Sequence, residues 1–439
     1  MDSRNFQKYL SRIKRPDAIE PAPCRLFHYA VVIPALEEAD HLPDTLAGLA
    51  AGNPAVLCET MVLVVVNNST GTAADKVKDN QLMLSALRNG DQRFCGGLVP
   101  GGTLFWIDAS SPGREISGKG GVGEARKLGM DAVLQHLDFT ARPVSPLIFC
   151  LDADTLVEPG YLSGAIEFFR NHTELAGAVF RFRHQDSNDP DESAAIAQYE
   201  LFMRYYTIAL RLAGSPYAYY SLGSATVCTA EAYVRAGGMR ERNGGEDFYF
   251  MQALQKTGGT GQINASCVLP SSRPSDRVPF GTGPRIRDIM QGKNLKFYHP
   301  AVFFELKKLY AAIGAIHSPH DFARLPELLE EALAPDAARF FKNNAFDKAW
   351  PDIFRHNRAS RERLAQAFNT WFDAFAILKF IHFCENNFPQ FQRMELSDAF
   401  RTLFEDESTA FPAGIFDDMR ILLDFLRTAD ECFPDLLLS

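Results

Sequence analysis

The chain has 439 residues, 46% hydrophobic and 23% charged, enough for two or three domains of roughly 150 residues with a large core. Forty-five Lys and Arg against 54 Asp and Glu give a net charge of −9, and an acidic balance without a basic run excludes nucleic acid as the main partner. With 12% aromatic residues, sustained disorder is excluded too.

The opening Met1-Asp2-Ser3-Arg4-Asn5 leads into charged sequence, without the apolar core of roughly 7–15 residues that a signal peptide needs. The uncharged window Leu212 to Ala230 is interrupted by Gly, Ser, Pro and Tyr, too polar for a transmembrane segment. Eight cysteines (24, 58, 95, 150, 228, 267, 384 and 432) lie far apart with no C-x-x-C pair. That spacing suits reduced, packed thiols rather than a disulfide frame or zinc site. A cytoplasmic location is expected.

Residues 1–26, charged and punctuated by proline, are expected to form an N-terminal arm over the surface. From Tyr29 strands alternate with helices. Tyr29 to Ile33 is an apolar run ended by Pro34, and a helical pattern follows at Leu42 to Leu49. Further buried-strand runs are Met61 to Val66, Leu104 to Ile107 and Leu147 to Leu151, with a helix over Gly120 to Leu137. Near-continuous β-branched and aromatic runs separated by helices predict an α/β fold whose parallel sheet is covered on both faces. Ala178 to Arg183 and Leu222 to Cys228 read as strands, and Ser193 to Leu212 and Glu246 to Lys256 as helices. Beyond residue 301 the apolar residues fall at helical spacing, as in Leu364, Phe368, Trp371, Phe375 and Leu378, which predicts a helical C-terminal extension over 301–439. Its aromatics, including Phe372, Phe375, Phe380 and Phe383, read first as core; an acceptor pocket, a homodimer surface and a lipid-facing patch are the other readings.

In open α/β sheets ligands gather beyond the carboxyl ends of the strands. Asp152-Ala153-Asp154 follows the fourth run and sends two carboxylates to one side of a strand end, where they can share a hard cation; a helix-capping turn is the plain alternative. Glu246-Asp247 opens a helix after Gly244-Gly245, either as N-terminal capping or as a general base held on a rigid element. Gly118-Lys119-Gly120-Gly121-Val122-Gly123-Glu124-Ala125-Arg126 is neither a Walker loop nor a dinucleotide fingerprint. As a flexible loop with two cations it can meet a diphosphate.

Taken in order, these segments resemble the family 2 glycosyltransferases, which have the GT-A nucleotide-diphospho-sugar transferase fold. Val31-Val32-Ile33-Pro34-Ala35-Leu36-Glu37-Glu38 is similar to the family's V-I-P-A-x-N-E-E strand end. Val64-Val65-Val66-Asn67-Asn68-Ser69 stands where it writes V-V-D-D-G-S, and Gly123 to Gly129 resembles its G-x-A-R-N-x-G helix start. Asp152-Ala153-Asp154-Thr155 with Pro159 and Leu162 resembles D-A-D-T…P-x-x-L, and Gly223-Ser224-Ala225, Gly237-Gly238 and Glu246-Asp247 follow its acceptor-side pattern. The match covers about residues 28–270, within a catalytic domain placed at 27–300.

The resemblance implies transfer of a sugar, a hexose first, from a nucleoside-diphosphate sugar to an acceptor hydroxyl. It assigns the donor to Pro34, Ala35, Glu38, Asn67, Lys119, Arg126, Asp152, Arg273 and Arg277, and an Mn²⁺ or Mg²⁺ ion to Asp152 and Asp154. Asp247 is the implied base of an inverting reaction, with Glu246 orienting it or bonding the acceptor. Asn67 departs from the family's base-reading carboxylate and offers both donors and acceptor. The His that some relatives place after the E-D pair is absent from Pro270 to Arg277; Asp276 and His299 are the remaining candidates for a third metal ligand. A retaining reaction, a sugar nucleotidyltransferase and a non-catalytic sugar-nucleotide or partner-binding module are the alternatives.

Overall fold

The computed structural model describes residues 3–13, 18–140, 144–275, 281–405, 411–412 and 414–432. The chain divides into two compact units, Met1–Ile196 with Ser221–Gln291, and Ala197–Tyr220 with Gly292–Ser439.

The first unit is built on an eight-stranded sheet: β1 (Tyr29–Ala35), β2 (Thr60–Asn67), β3 (Leu104–Ala109), β4 (Leu147–Cys150), β5 (Leu156–Val157), β6 (Gly177–Phe182), β7 (Thr226–Thr229) and β8 (Thr260–Leu269). Their order is β3-β2-β1-β4-β7-β6-β8-β5. The strands β3, β2, β1 and β4 run parallel, as the apolar runs predict. The second half departs from an all-parallel sheet: β7 is antiparallel to both β4 and β6, and β5 is antiparallel to β8. The runs in question are short, and β8 carries Gly261, Gln262 and Asn264, so no hydrophobic period announces it.

Every residue of β1 and β2 is buried, which accounts for the unbroken apolar runs. Pro34 is tolerated inside β1 because β4 pairs only with Tyr29–Val32, leaving the proline beside β2 alone. The helix Gly121–Val133 lies against β1 and β2 through Gly129, where a Cβ would come 2.8 Å from Val65 Cγ2. The N-terminal segment is more than an arm. Ser3–Leu10 is a helix whose Phe6 stacks edge-on to Phe139 and whose Tyr9 meets Tyr233, and Glu20 bridges to Trp106.

In the second unit the described residues from 292 onward form helices and one isolated bridge, Phe297 to Met394. Tyr205, on the helix Pro190–Leu212, packs its ring against Phe297, Phe303 and Phe400. Such contacts place Ala197–Tyr220 with the C-terminal helices, although the sequence reading leaves this segment inside 27–300. Arg204, buried at 1% side-chain exposure, pairs with Glu200 and with Asp430, while Arg427 also bonds Glu200. The stripe Leu364 to Leu378 is not one helix. It breaks between Arg361–Trp371 and Ala374–Asn387, where Asp373 caps the second by accepting from Ala376 N at 3.0 Å. Phe372 and Phe380 are core as expected, whereas Phe375 is exposed beneath the Lys379 ammonium.

Candidate functional site

Each early strand of the sheet ends in polar residues, and the structure bonds these ends to one another. Asn80, fully buried on the helix Ala74–Asn89, is the hub of the first three. Its Oδ1 accepts from Glu37 N (3.0 Å), and its Nδ2 donates to Asn67 O (3.0 Å), Asn68 Oδ1 (3.0 Å) and Ser110 Oγ (3.2 Å). Glu37 sits at φ 58, a left-handed conformation costly for a side chain of its type, and the Asn80 bond holds its amide there. The sequence reading missed Asn80, since one Asn on the buried face it shares with Met83, Leu84 and Leu87 carries no signal of its own. Asn67 turns its Nδ2 inward, donating to Ala35 O (3.1 Å) and Val65 O (3.0 Å). Both donors are thereby used on the sheet, and Pro34 and Ala35 are themselves buried strand residues.

At the end of β4 stands Asp152-Ala153-Asp154. Ala153 is pinned by Thr45 Oγ1, which donates to its carbonyl at 2.9 Å. The two carboxylates are not drawn to one point by protein ligands; each has its own arginine. Asp152 accepts from Arg126 Nη2. Asp154 accepts from Arg273 Nη2 (2.8 Å) and Nε (3.1 Å), and the same Arg273 donates to Glu38 at the end of β1. Arg273 therefore clamps the loop after β8 to two strand ends.

Arg126 is the centre of the other group. Its guanidinium is buried, donating through Nη1 to Glu246 and through Nη2 to Asp152. Gly223 makes room for it, because any Cβ there would overlap the guanidinium. Asp247 lies alongside, its Oδ2 accepting from Gly223 N at 3.1 Å and its Oδ1 from Phe248 N at 2.7 Å. Two carboxylates thus bond one guanidinium, and the third lies within its field. Burial opposes the charge on Arg126, but Asp152 and Glu246 outweigh it and hold the group protonated far above its usual range. Burial, only partly offset by Arg126 and reinforced by Asp247, pushes Glu246 up to about 7. Asp247 is also raised, by burial first and then by Asp152, against the pull of Arg126 and of the backbone amides it accepts from. Mutual repulsion within a desolvated cluster is the arrangement that tunes acids and bases.

The glycines of the Gly-rich segment sit close to neighbouring loops. A Cβ on Gly123 would lie 2.7 Å from Arg242 O, and one on Gly118 would lie 2.8 Å from Ser69 Cβ. These glycines permit close packing on neighbouring loops, while Lys119 stays exposed. His299 caps the helix Pro300–Gly314, accepting from Ala301 N through Nδ1. Arg277 and Asp276 lie outside the described residues. Among the described residues no three His, Cys, Asp or Glu side chains are grouped to hold a metal ion, and no helix is long and apolar enough to cross a membrane. Cys24 and Cys58 are exposed thiols, and Cys95, Cys150, Cys228, Cys267 and Cys384 are buried thiols.

No family model and no curated protein matches the chain. Among solved structures it is similar to TarS 1–349 of S. aureus in complex with UDP-GlcNAc, at 13% identity over 93% of this chain and 91% of that one, with a TM-score of 0.35. A mannosyltransferase of Pyrobaculum calidifontis in complex with GDP-Man and Mn²⁺ aligns at 16% identity over 84% and 95%, with a TM-score of 0.33. Glucosyl-3-phosphoglycerate synthase of Mycobacterium tuberculosis, in complex with Mn²⁺, UDP-Glc and phosphoglyceric acid, aligns at 14% over 62% and 79%, with a TM-score of 0.34. Likenesses this divergent transfer neither a site nor a substrate to this chain.

Proposed function

We propose that this protein is a GT-A glycosyltransferase of the family 2 type, moving a sugar from a nucleoside-diphosphate donor to an acceptor hydroxyl. The observation that carries the reading is the carboxylate set around Arg126, in which Asp152 from the end of β4 meets Glu246 from the start of the helix Glu246–Gly258, with Asp247 beside them. Segments 94 residues apart in sequence, Asp152 and Glu246, are brought within reach of one side chain, and each belongs to a motif that resembles the family.

Donor diphosphate would approach Asp152, Asp154 and Arg273, on the side of the β1 and β4 ends. The two aspartates are all-oxygen ligands, each already engaged with an arginine. That donor set fits a Mg²⁺ or Mn²⁺ ion that arrives with substrate phosphates and keeps several waters, rather than one caged by protein alone. Asp152 and Asp154 would hold it, and when bound it would supply positive charge to the departing diphosphate. Asp247 takes the acceptor hydroxyl proton as the oxygen attacks from the face opposite the leaving group, which inverts the anomeric centre. Its raised pKa direction makes it a stronger base than a solvated aspartate. Gly223 N and Phe248 N fix its carboxylate, and Arg126 holds Glu246 and Asp152 in place around it. Arg126 acts here as a positioning residue rather than a direct phosphate ligand.

Asp247→Asn keeps shape and loses basicity, so transfer should fall by about 10²–10⁴-fold while binding of a nucleoside diphosphate changes little. Transfer at the wild-type rate by Asp247→Asn, measured on a donor and acceptor pair that the wild-type enzyme uses, would remove Asp247 as the base. Screening donors by thermal shift with Mg²⁺ or Mn²⁺ present identifies the nucleotide first, because a ligand that binds only the folded state raises Tm.

A further inference from the structure

The basic N-terminal helix and a neighbouring cavity remain outside the reaction described above. Lys8, Tyr9 and Arg12 from the N-terminal segment, Lys127 from the helix Gly121–Val133, and Arg235 and Gly237 from the end of the helix Ala230–Arg235 line one cavity of about 470 Å³. Four cations from three elements converge there, and among the described residues no carboxylate lines the cavity, in a chain whose net charge is −9. Lys8 and Arg12 have no ion pair among the described residues, and Arg235 spends one nitrogen on Thr257 O at 3.0 Å.

Two of the lining groups are fixed from behind. The buried Asp131 accepts from Tyr9 Oη (2.7 Å), Tyr233 Oη (2.7 Å) and Lys127 Nζ (2.8 Å). Gly238 has no Cβ to collide with the Tyr9 hydroxyl, so the N-terminal helix seats closely on this wall. Lys127 is neutralised by Asp131, whereas Lys8, Arg12 and Arg235 have no ion pair among the described residues and leave an excess of positive charge there. Successive residues on a helix diverge by about 100°. Arg126 thus serves the carboxylate cluster while Lys127 faces the separate cavity.

We propose that this cavity is a binding site for a phosphate-bearing anion, separate from the carboxylate site. Its size falls within the roughly 300–1,000 Å³ of small-ligand pockets. Two guanidinium forks with two ammonium groups match an anion carrying several oxygens and more than one charge, better than a single carboxylate. The same chemistry is offered by a soluble phosphate compound and by a phospholipid headgroup.

Hydrogen exchange of the full chain, followed by mass spectrometry at low ionic strength, separates these sources and reads the cavity locally. The probes are inorganic pyrophosphate and, in parallel, vesicles of phosphatidylcholine containing phosphatidylglycerol. Slower exchange in residues 3–13 and 230–238 with pyrophosphate assigns the site to a soluble ligand; the same protection with vesicles alone assigns it to a headgroup. In K8E/R12E, whose two side chains are exposed, the protection midpoint should shift by at least about tenfold in concentration, about 1.4 kcal/mol, with Tm unchanged. Protection by neither probe, or protection that survives K8E/R12E, overturns the proposal.

Discussion

Arg126 shows how one buried residue can hold the carboxylates of a site together. It lies in a Gly-rich run that reads as a loop for phosphates, yet its guanidinium is buried between Asp152 and Glu246. Its place depends on a hydrogen atom at residue 223. Gly223→Ala would drive a methyl group into the guanidinium; overpacking of this kind costs about 1–3 kcal/mol, and the displaced Arg126 would release Glu246. Urea unfolding should show that loss, together with a fall in transfer larger than the change in nucleotide affinity. The Glu246 carboxyl gives a second test at this scale. Its value in the folded protein is about 7 against an ordinary 4.5, so the folded state binds a proton that the unfolded state has already lost. Stability from this group is therefore greatest below about pH 4.5 and declines as pH rises through about 7. Glu246→Gln removes the titration, and its Tm should fall less than that of wild type across this window. Parallel Tm profiles for the two proteins would show that the raised Glu246 is not the source.

At the scale of elements, the sheet brings the site together from strand ends that local pairing alone cannot align. Asn80 ties the ends of β1, β2 and β3 from a helix, with no solvent access to its amide. Asn80→Ala leaves Glu37 N and Asn67 O short of a partner, while Asn68 Oδ1 still accepts from Ser110 Oγ. Each unmet buried polar group costs about 1–3 kcal/mol, so a destabilisation of about 3 kcal/mol or more is expected in urea unfolding, with an unchanged m-value. A change below about 1 kcal/mol would mean that water replaces the amide. The early strands were legible because burial on both faces writes an unbroken apolar run, as in β1 and β2. In the other half β6 and β7 were legible as strands but not their direction, and β5 and β8 were missed, because β5 has two residues and β8 mixes Gly, Gln and Asn with its apolar positions. Register and direction there come from partners distant in sequence. The break between Trp371 and Ala374 was hidden for a related reason: apolar spacing continues across it, and the Asp373 cap is one polar residue in an aromatic stretch.

At the scale of the molecule, the two units are not two lengths of chain. Ala197–Tyr220 leaves the sheet-bearing unit and joins the C-terminal helices, where Leu201, Tyr205 and Ile208 are almost wholly buried. A chain ending at residue 291 would keep this segment without the Phe297, Phe303 and Phe400 rings that pack on Tyr205. It should aggregate, seen as void-volume material in gel filtration, whereas a monodisperse 1–291 fragment would mean that Ala197–Tyr220 finds cover without residues 292–439.

Taken alone, the sequence determined the alternating α/β pattern of the first unit, the helical character of the second and the two acidic pairs, since each is written in neighbouring residues: apolar runs, helical spacing, carboxylates at i and i+2. The tertiary structure alone decided which charges meet. Arg126 joins Asp152 to Glu246, and Arg273 reaches Glu38 across 235 residues and Asp154 across 119. Such pairings depend on how strands are ordered and how closely a glycine lets a helix approach. Coulombic partners inside a desolvated site are chosen by distance in space, and distance in sequence does not record it.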